Sequence, residues 1–286
     1  MQHGGNTTCV EVRADGEIIV LDAGSGIRPL GIALEKEFRS QPIKLSLLIT
    51  HAHWDHIQGL PFFAPVYEKK NDICVRGYDG VDTSFGEIMA EPMRAPFFPI
   101  AMRELSARID IEKLTEMEFS FGKVQVRARF VNHPGVCAGY RLFTSAGSIA
   151  FVPDHEPYRF LHAAKTNDLS PEQAKRTATE ERVKLVEFLH GSDILILDAQ
   201  YTDEEYETHV GWGHSSISSA VSMALDADVR RLLLFHHDPS HDDTTLDAML
   251  RDARQLVRES GRQLQVDSAR EGEEVSLAAE PVIGRR

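Results

Sequence analysis

Four candidate metal ligands lie within six residues, directly after an apolar run that begins at Leu47. The donors are His51, His53, Asp55 and His56. Imidazole nitrogens and carboxylate oxygens are the donors that zinc, manganese and iron prefer. Because alternate residues of an extended strand share a face, His51 and His53 can bind one ion. The turn that follows can direct Asp55 and His56 to a second ion. A polar loop with surface histidines is the alternative, and four donors at one strand end argue against it.

Three further candidate ligands follow predicted strands elsewhere in the chain. His133 comes after an alternating segment at residues 123–130, where apolar and polar side chains take opposite faces. Asp154 comes after an apolar run at residues 148–152, and His236 comes directly after a predicted strand at residues 231–235.

The pattern His-x-His-x-Asp-His at residues 51–56 resembles the signature of the metallo-β-lactamase superfamily of hydrolases. The resemblance implies an α/β fold, a four-layer αββα sandwich, with a dinuclear metal site on one edge. Asp22, after a predicted strand at 17–21, resembles the family's aspartate that orients a ligand imidazole. The resemblance implies that His51, His53 and His133 bind one metal and that Asp55, His56 and His236 bind the other. Asp154 would bind both.

The block from Leu197 to Ser216 resembles one branch of that superfamily, which contains ribonuclease Z and the cyclic-phosphate phosphodiesterases. There, an acidic residue after a strand and a histidine before a helix assist phosphodiester cleavage. The resemblance implies that a hydroxide on the metals attacks phosphorus while His214 assists the leaving group and Asp198 holds its imidazole. The predicted catalytic residues are therefore His214, Asp198 and Asp55. In the alternative interpretation, His214 only flanks a helix cap.

Two departures from ribonuclease Z favour a small substrate. Leu197 stands where that family has a histidine, and the segment between Asp154 and Asp198 lacks a glycine- and proline-rich arm for gripping tRNA. The net charge of −13 also repels polyanions. We therefore expect a small or cyclic phosphodiester, such as a cyclic nucleotide, and no long nucleic acid as a partner.

Two other functions fit the same ligand pattern. A lactone, thioester or amide hydrolase of this fold would use the metals without needing His214. A metal-stabilised binding module would use them without turnover. Two divalent ions are expected in each case, zinc first, with manganese or iron as alternatives because mixed histidine and aspartate sets accept all three.

A folded scaffold must position these residues. A chain of 286 residues is long enough to form one, and we predict a single domain over residues 1–286. Residues 60–110 are rich in phenylalanine and proline. They predict either core packing with rigid loops or a lid and pocket wall above the metals. Helices are predicted from residue 28, from about residue 217 behind a Ser215 or Ser216 cap, and around residues 246–257.

Location and assembly are predicted from simpler signals. No apolar run approaches the roughly 20 residues that span a bilayer, and the first residues lack the features of a signal peptide. A cytoplasmic protein without a membrane partner is expected, and the branch resemblance suggests a homodimer. The opening Gly4–Cys9 resembles superfamily members that carry one more strand ahead of it, which leaves two interpretations: the strand is missing, or the start is truncated.

Overall fold

The computed structural model describes residues 2–159, 161 and 170–277. Two β-sheets pack face to face, and helices cover the outer side of each sheet. The predicted α/β class and the four-layer αββα sandwich are therefore confirmed. Among the helices that the structure describes, none combines the length and the apolar character needed to cross a bilayer.

The first sheet forms from the N-terminal part of the chain. It opens with an antiparallel hairpin that turns through Asp15 and Gly16, both of which have positive φ, as a tight hairpin turn requires. From the second strand onwards, neighbouring strands are parallel. In spatial order, the strands are β1 (Val10–Ala14), β2 (Glu17–Leu21), β3 (Lys44–Leu48), β4 (Asp72–Gly77) and β5 (Arg108–Lys113).

The second sheet begins with antiparallel hairpins and continues with parallel strands. Its strands are β6 (Glu118–Phe121), β7 (Val124–Phe130), β8 (Ala138–Thr144), β9 (Gly147–Val152), β10 (Ile194–Asp198), β11 (Arg231–Phe235) and β12 (Gln265–Ser268). Their spatial order is β12-β11-β10-β9-β8-β7-β6. In β7, Val124 and Val126 are buried between exposed polar neighbours, as the alternation predicts.

Side-chain caps fix where the longer helices begin. Ser216 accepts a hydrogen bond from Ser219 N, which selects it over Ser215 as the cap of the sixth helix. Asp242 accepts one from Thr245 N at the start of the seventh. The helices are α1 (Ile27–Phe38), α2 (Trp54–Ile57), α3 (Phe85–Ala90), α4 (Pro171–Leu189), α5 (Asp203–His209), α6 (Ile217–Asp226) and α7 (Asp243–Ser260).

Three apolar layers hold the sandwich together. One lies between the first sheet and α1 and α3, a second lies between the two sheets, and a third lies between the second sheet and α4, α6 and α7. The middle layer contains Tyr140, which is fully buried and donates its hydroxyl hydrogen to Ile49 O at 2.7 Å. This bond ties the second sheet to the end of β3, immediately before the ligand-rich segment.

The segment at residues 60–110 contributes to the first sheet and to its outer core. It contains β4, and Phe63 is fully buried. Phe62 is exposed and contacts Phe98 edge to face, with ring centroids 5.7 Å apart. The role of this segment as a lid or pocket wall stays a prediction, as does the extent of the single domain.

Two glycines let the ligand-rich segment lie against the loop after β2. Gly59 N donates to Ala23 O at 2.8 Å, and Ala23 N donates to His56 O at 2.7 Å. A Cβ on Gly59 would collide with Gly24 O, and a Cβ on Gly24 would collide with Asp55 O. The backbone contact that positions Asp55 and His56 therefore requires glycine at positions 24 and 59.

Gly59→Ala is expected to lower the free energy of unfolding by about 1–3 kcal/mol, because the added methyl group meets backbone that cannot yield locally. Urea denaturation followed by circular dichroism measures the change. Gly86→Ala in α3 is the control, since a Cβ there meets no described atom within 4 Å. It should be neutral or slightly stabilising. Equal losses in both variants would contradict the packing argument.

Candidate metal centre

The candidate ligands lie at the edge of the sandwich where parallel strands of both sheets end. The segment with His51 follows β3 of the first sheet, while Asp154 follows β9 and His236 follows β11 of the second. The structure brings all seven predicted ligands together in two groups of donor atoms. The groups are His51, His53, His133 and Asp154, and Asp55, His56 and His236.

The spacing of the first group suits a single ion. His53 Nδ1 lies 3.0 Å from His133 Nε2. Asp154 Oδ2 lies 3.6 Å from both His51 Nε2 and His133 Nε2. Neighbouring ligands of a tetrahedral zinc ion are about 3.3 Å apart, given Zn–N distances of about 2.0–2.1 Å. These four atoms are therefore spaced as ligands around one centre are.

The second group meets the other oxygen of the same aspartate. Asp154 Oδ1 lies 3.1 Å from His56 Nε2 and 3.6 Å from His236 Nε2. Asp55 Oδ2 lies 3.2 Å from each of these nitrogens. The carboxylate of Asp154 thus presents one oxygen to each group, which is the arrangement of a bridging ligand.

Several donors at the centre are buried without the hydrogen bond that burial demands. His51 Nε2, His56 Nε2 and Asp154 Oδ1 are inaccessible to solvent and make no hydrogen bond within the described part of the chain. The short distance between His56 Nε2 and Asp154 Oδ1 lacks hydrogen-bond geometry. An unsatisfied buried polar atom costs about 1–3 kcal/mol. A divalent cation would satisfy all three atoms at once, so the cluster fits a metal site.

The electrostatics differ between the two groups. Burial lowers the pKa of His133 to about 4, so its ring is neutral and ready to bind metal at pH 7. Burial also acts on His236, but the charges of Asp154 and Asp55 outweigh it and raise the pKa of His236 to about 9. The pKa of His56 is likewise raised, because Asp154 and Asp22 overcome the effect of burial. A cation must therefore displace protons from the second group.

Contacts behind the donors fix the orientation of the rings. Asp22 Oδ2 accepts a hydrogen bond from His56 Nδ1 at 2.7 Å, and Asp22 Oδ1 accepts one from Thr50 N at 2.7 Å. His133 Nδ1 donates to Gly213 O at 2.8 Å. In the rings of His56 and His133, the hydrogen bond at Nδ1 leaves Nε2 directed to the centre. Hydrogen bonds to the back of a ligand imidazole tune its affinity for metal.

His214 lies beside the donors, with its ring stacked on that of His236 at a centroid distance of 4.7 Å. Its Nδ1 lies 2.8 Å from Asp198 Oδ2. The fully buried Asp198 carboxylate also accepts hydrogen bonds from the backbone amides of His155 and Ser215. His214, Asp154 and His236 form a third group of converging donors. The imidazole of His214 therefore belongs to the centre, although Ser216 caps the helix two residues further on.

The backbone selects His236 over the adjacent histidine. His237 Nε2 lies 3.0 Å from Ala269 O, away from the centre. His236 has φ 58° and Asp22 has φ 62°, a left-handed conformation that is uncommon outside glycine. Both strained residues serve the centre, which agrees with the tendency of strain to occur at functional sites.

The sequence analysis missed Glu156, which holds the loop before His214. Its buried carboxylate accepts hydrogen bonds from Gly211 N at 2.7 Å, from Gly213 N at 2.9 Å and from the Tyr206 hydroxyl at 3.0 Å. The same loop supplies the carbonyl that orients His133. The available signal was an acidic residue two positions after a strand-end ligand, and no spacing rule connects it with residues 206–213.

Comparisons with known proteins agree with this geometry. Residues 18–237 match the family model described as a β-lactamase superfamily domain. Ribonuclease Z of Haloferax volcanii is 24% identical in an alignment that covers 90% of this chain and 89% of that protein. Ribonuclease Z of Natronomonas pharaonis is 24% identical in an alignment that covers 81% of each chain. The predicted resemblance to the superfamily and to its ribonuclease Z branch is confirmed.

A solved structure extends the comparison to the fold. The crystal structure of the short form of human tRNase Z has a TM-score of 0.57 and 17% sequence identity, and the match covers 95% of this chain and 93% of the other. At this identity, the likeness shows the fold alone.

The expectation of a small-molecule substrate, with long nucleic acid excluded, is wrong. The relatives that match most of the chain are ribonucleases, which act on RNA. The error has a physical cause: the net charge of −13 averages over the whole surface. A polyanion meets the local field instead, and bound divalent cations reverse that field inside a cleft. The missing tRNA-gripping arm excludes only one way of holding RNA.

Asp22→Asn is expected to weaken metal affinity about 10- to 100-fold. Thr50 N and His56 Nδ1 both donate to the carboxylate, and an amide offers only one accepting oxygen. Competition with a zinc-chelating dye measures the affinity. Asp228→Asn is the matched control, because Asp228 also has a left-handed backbone but is exposed. Unchanged affinity in Asp22→Asn would contradict the orienting role.

The second metal-binding step is expected to depend on pH. Because the raised pKa of His236 keeps its ring protonated at pH 7, affinity should rise about tenfold per pH unit for each displaced proton, and level off above about pH 9. Calorimetric titrations at pH 7 and 8 measure the two steps. The first step should stay nearly constant, since His133 is already neutral. A second step that does not change with pH would contradict this assignment.

Proposed function

This chain belongs to the β-lactamase superfamily, and from that premise we propose that it is a metal-dependent hydrolase that cleaves phosphodiester bonds in RNA. The observation that carries the proposal is the hydrogen-bonded pair His214–Asp198 beside two donor groups that share Asp154. Amide, thioester and lactone hydrolysis on such a centre has no need of that pair. The ribonuclease Z relatives support RNA as the substrate.

The proposed centre holds two divalent ions, with zinc as our first expectation and manganese or iron as alternatives. When bound, such ions supply a hydroxide nucleophile at neutral pH and offset the charge of the phosphate. The proposed ligands are His51, His53 and His133 for one ion, Asp55, His56 and His236 for the other, and Asp154 for both.

His214 is proposed to donate the proton that the leaving oxygen requires. Asp198 accepts a hydrogen bond from Nδ1, which keeps Nε2 as the nitrogen free to act on substrate. As the bond between phosphorus and the leaving oxygen breaks, Nε2 gives its proton to that oxygen, and an oxygen from water takes its place on phosphorus. Backbone amides of His155 and Ser215 also donate to Asp198, which holds its carboxylate in place behind His214.

The openness of the centre supports a polymeric substrate. His53 is exposed, and the side chain of Asp55 retains 37% of its accessible surface. These two donors thus lie at an open edge of the centre, in front of the buried ones. A chain that continues on both sides of the reacting phosphate can reach such an edge.

Replacing His214 tests the proposal through the leaving group. His214→Ala is expected to lower kcat about 10²- to 10⁴-fold on RNA. It should have much less effect on bis(p-nitrophenyl) phosphate, because p-nitrophenolate departs without a proton. The assay uses single-stranded RNA and a precursor tRNA with each metal in turn. His190→Ala is the control, because His190 is exposed at the end of α4.

Three outcomes would contradict parts of this proposal. Equal losses on both substrates, or loss of bound metal in His214→Ala, would show that His214 acts as a ligand or a structural group. Turnover of a lactone, thioester or amide without any RNA cleavage would favour the other hydrolase class. A fully metal-loaded protein without turnover of any of these substrates would indicate a binding module.

A further inference from the structure

Both tryptophans of the chain are exposed. Trp54 retains 57% and Trp212 63% of its accessible surface. Tryptophan is highly buried on average, and its large ring contributes most when it is removed from water. Two exposed indoles in a protein with only two therefore mark a surface that a ligand can cover.

Both tryptophans are direct sequence neighbours of residues at the metal centre. Trp54 lies between His53 and Asp55, and Trp212 immediately precedes Gly213. His133 connects these two segments, since its Nε2 lies 3.0 Å from His53 Nδ1 and its Nδ1 donates to Gly213 O at 2.8 Å. The backbone positions of Trp54 and Trp212 therefore adjoin the two ends of one short chain of contacts through the first donor group.

The backbone under each indole is held in place. Glu156 accepts hydrogen bonds from the amides on both sides of Trp212, those of Gly211 and Gly213. The His209 ring meets Trp212 edge to face at 4.7 Å and stacks on Tyr201 at 4.6 Å. Trp54 is the first residue of α2, and its carbonyl accepts from Gln58 N at 2.8 Å. The supported ring of Trp212 loses little freedom when a planar ligand stacks on it.

We propose that Trp54 and Trp212 stack on the nucleobases that flank the reacting phosphate, so that the substrate is single-stranded RNA at this point. The inference rests on the proposed function and specifies its substrate. Stacking on an aromatic side chain does not depend on base identity. It also needs no positive charge, which suits a chain with 44 acidic and 31 basic residues. Bases in a duplex are stacked on one another and would not be available.

Intrinsic fluorescence tests the proposal directly, because Trp54 and Trp212 are the only tryptophans. The titration uses metal-loaded His214→Ala, which binds without rapid turnover, and an unlabelled single-stranded RNA oligonucleotide. Stacking is expected to quench the emission. The same oligonucleotide with abasic sites around the target phosphate should bind more weakly and quench less. Equal quenching by duplex RNA would overturn the proposal.

Substitutions in this background separate the two rings. Trp54→Ala and Trp212→Ala are each expected to raise the Kd for the oligonucleotide about 5- to 150-fold. Trp54→Phe and Trp212→Phe should recover part of the affinity, since phenylalanine keeps a stacking ring. Ile32→Ala, which removes an exposed apolar side chain from α1, is the control. Metal content is measured in every variant, and the phenylalanine variants decide the outcome if an alanine variant loses metal.

The salt dependence of binding provides a second measurement. Stacking neutralises no phosphate, so the slope of log Kd against log salt should be the same in Trp212→Ala as in its parent. Unchanged Kd values in all four tryptophan variants, with RNA still bound, would overturn the stacking proposal and leave the proposed function intact. Failure of the wild-type protein to bind or cleave any RNA would overturn both.

Discussion

The carboxylate of Asp154 is the charge around which this edge of the molecule is arranged. It is 1% exposed, and a buried anion is stable only when opposite charge and hydrogen bonds compensate for its lost hydration. Here the opposite charge comes from His56 and His236, whose raised pKa values keep their rings protonated and which both face Asp154 Oδ1. Since His56 follows β3 of the first sheet and His236 follows β11 of the second, the carboxylate also connects the two halves of the sandwich. A cation at the centre would strengthen the same compensation.

The orientation of the imidazole rings at the centre depends on hydrogen bonds to groups that lie behind them. The ring of His56 depends on Asp22, the ring of His133 on a backbone carbonyl, and the ring of His214 on Asp198. All three supports are buried, where a hydrogen bond is strong and its loss is costly. Tyr140 adds a bond from the second sheet to the start of the ligand segment. The orientation of these rings is therefore fixed by buried hydrogen bonds behind the donors.

The local sequence pattern predicted most of the strands and helices and the metal ligands, because these features depend on residues that are close in sequence. The strands Glu17–Leu21 and Arg231–Phe235 occur with the predicted bounds, since short apolar runs between turns leave few alternatives. Glu156 could not be predicted in this way. The groups in residues 206–213 that donate to its carboxylate lie 50 to 57 residues away, and those of Gly211 and Gly213 are backbone amides, which have no sequence signature. The exclusion of RNA failed for a related reason, because net charge carries no information about where the charges lie.

The proposed metal ions and RNA substrate, together with the acidic net charge, have a consequence for specificity. A protein of net charge −13 repels RNA at long range, so it gains little from the phosphate contacts that dominate non-specific binding. Affinity must then arise where the local field is reversed, at the donors themselves and at the uncharged groups that border them. Under these conditions, access decides which phosphodiester reacts. A segment whose bases are unpaired can bring its backbone to the open edge at His53, whereas a duplex holds its phosphates around a wide cylinder. The same charge distribution that argued against RNA therefore favours an enzyme that is selective for accessible, single-stranded positions.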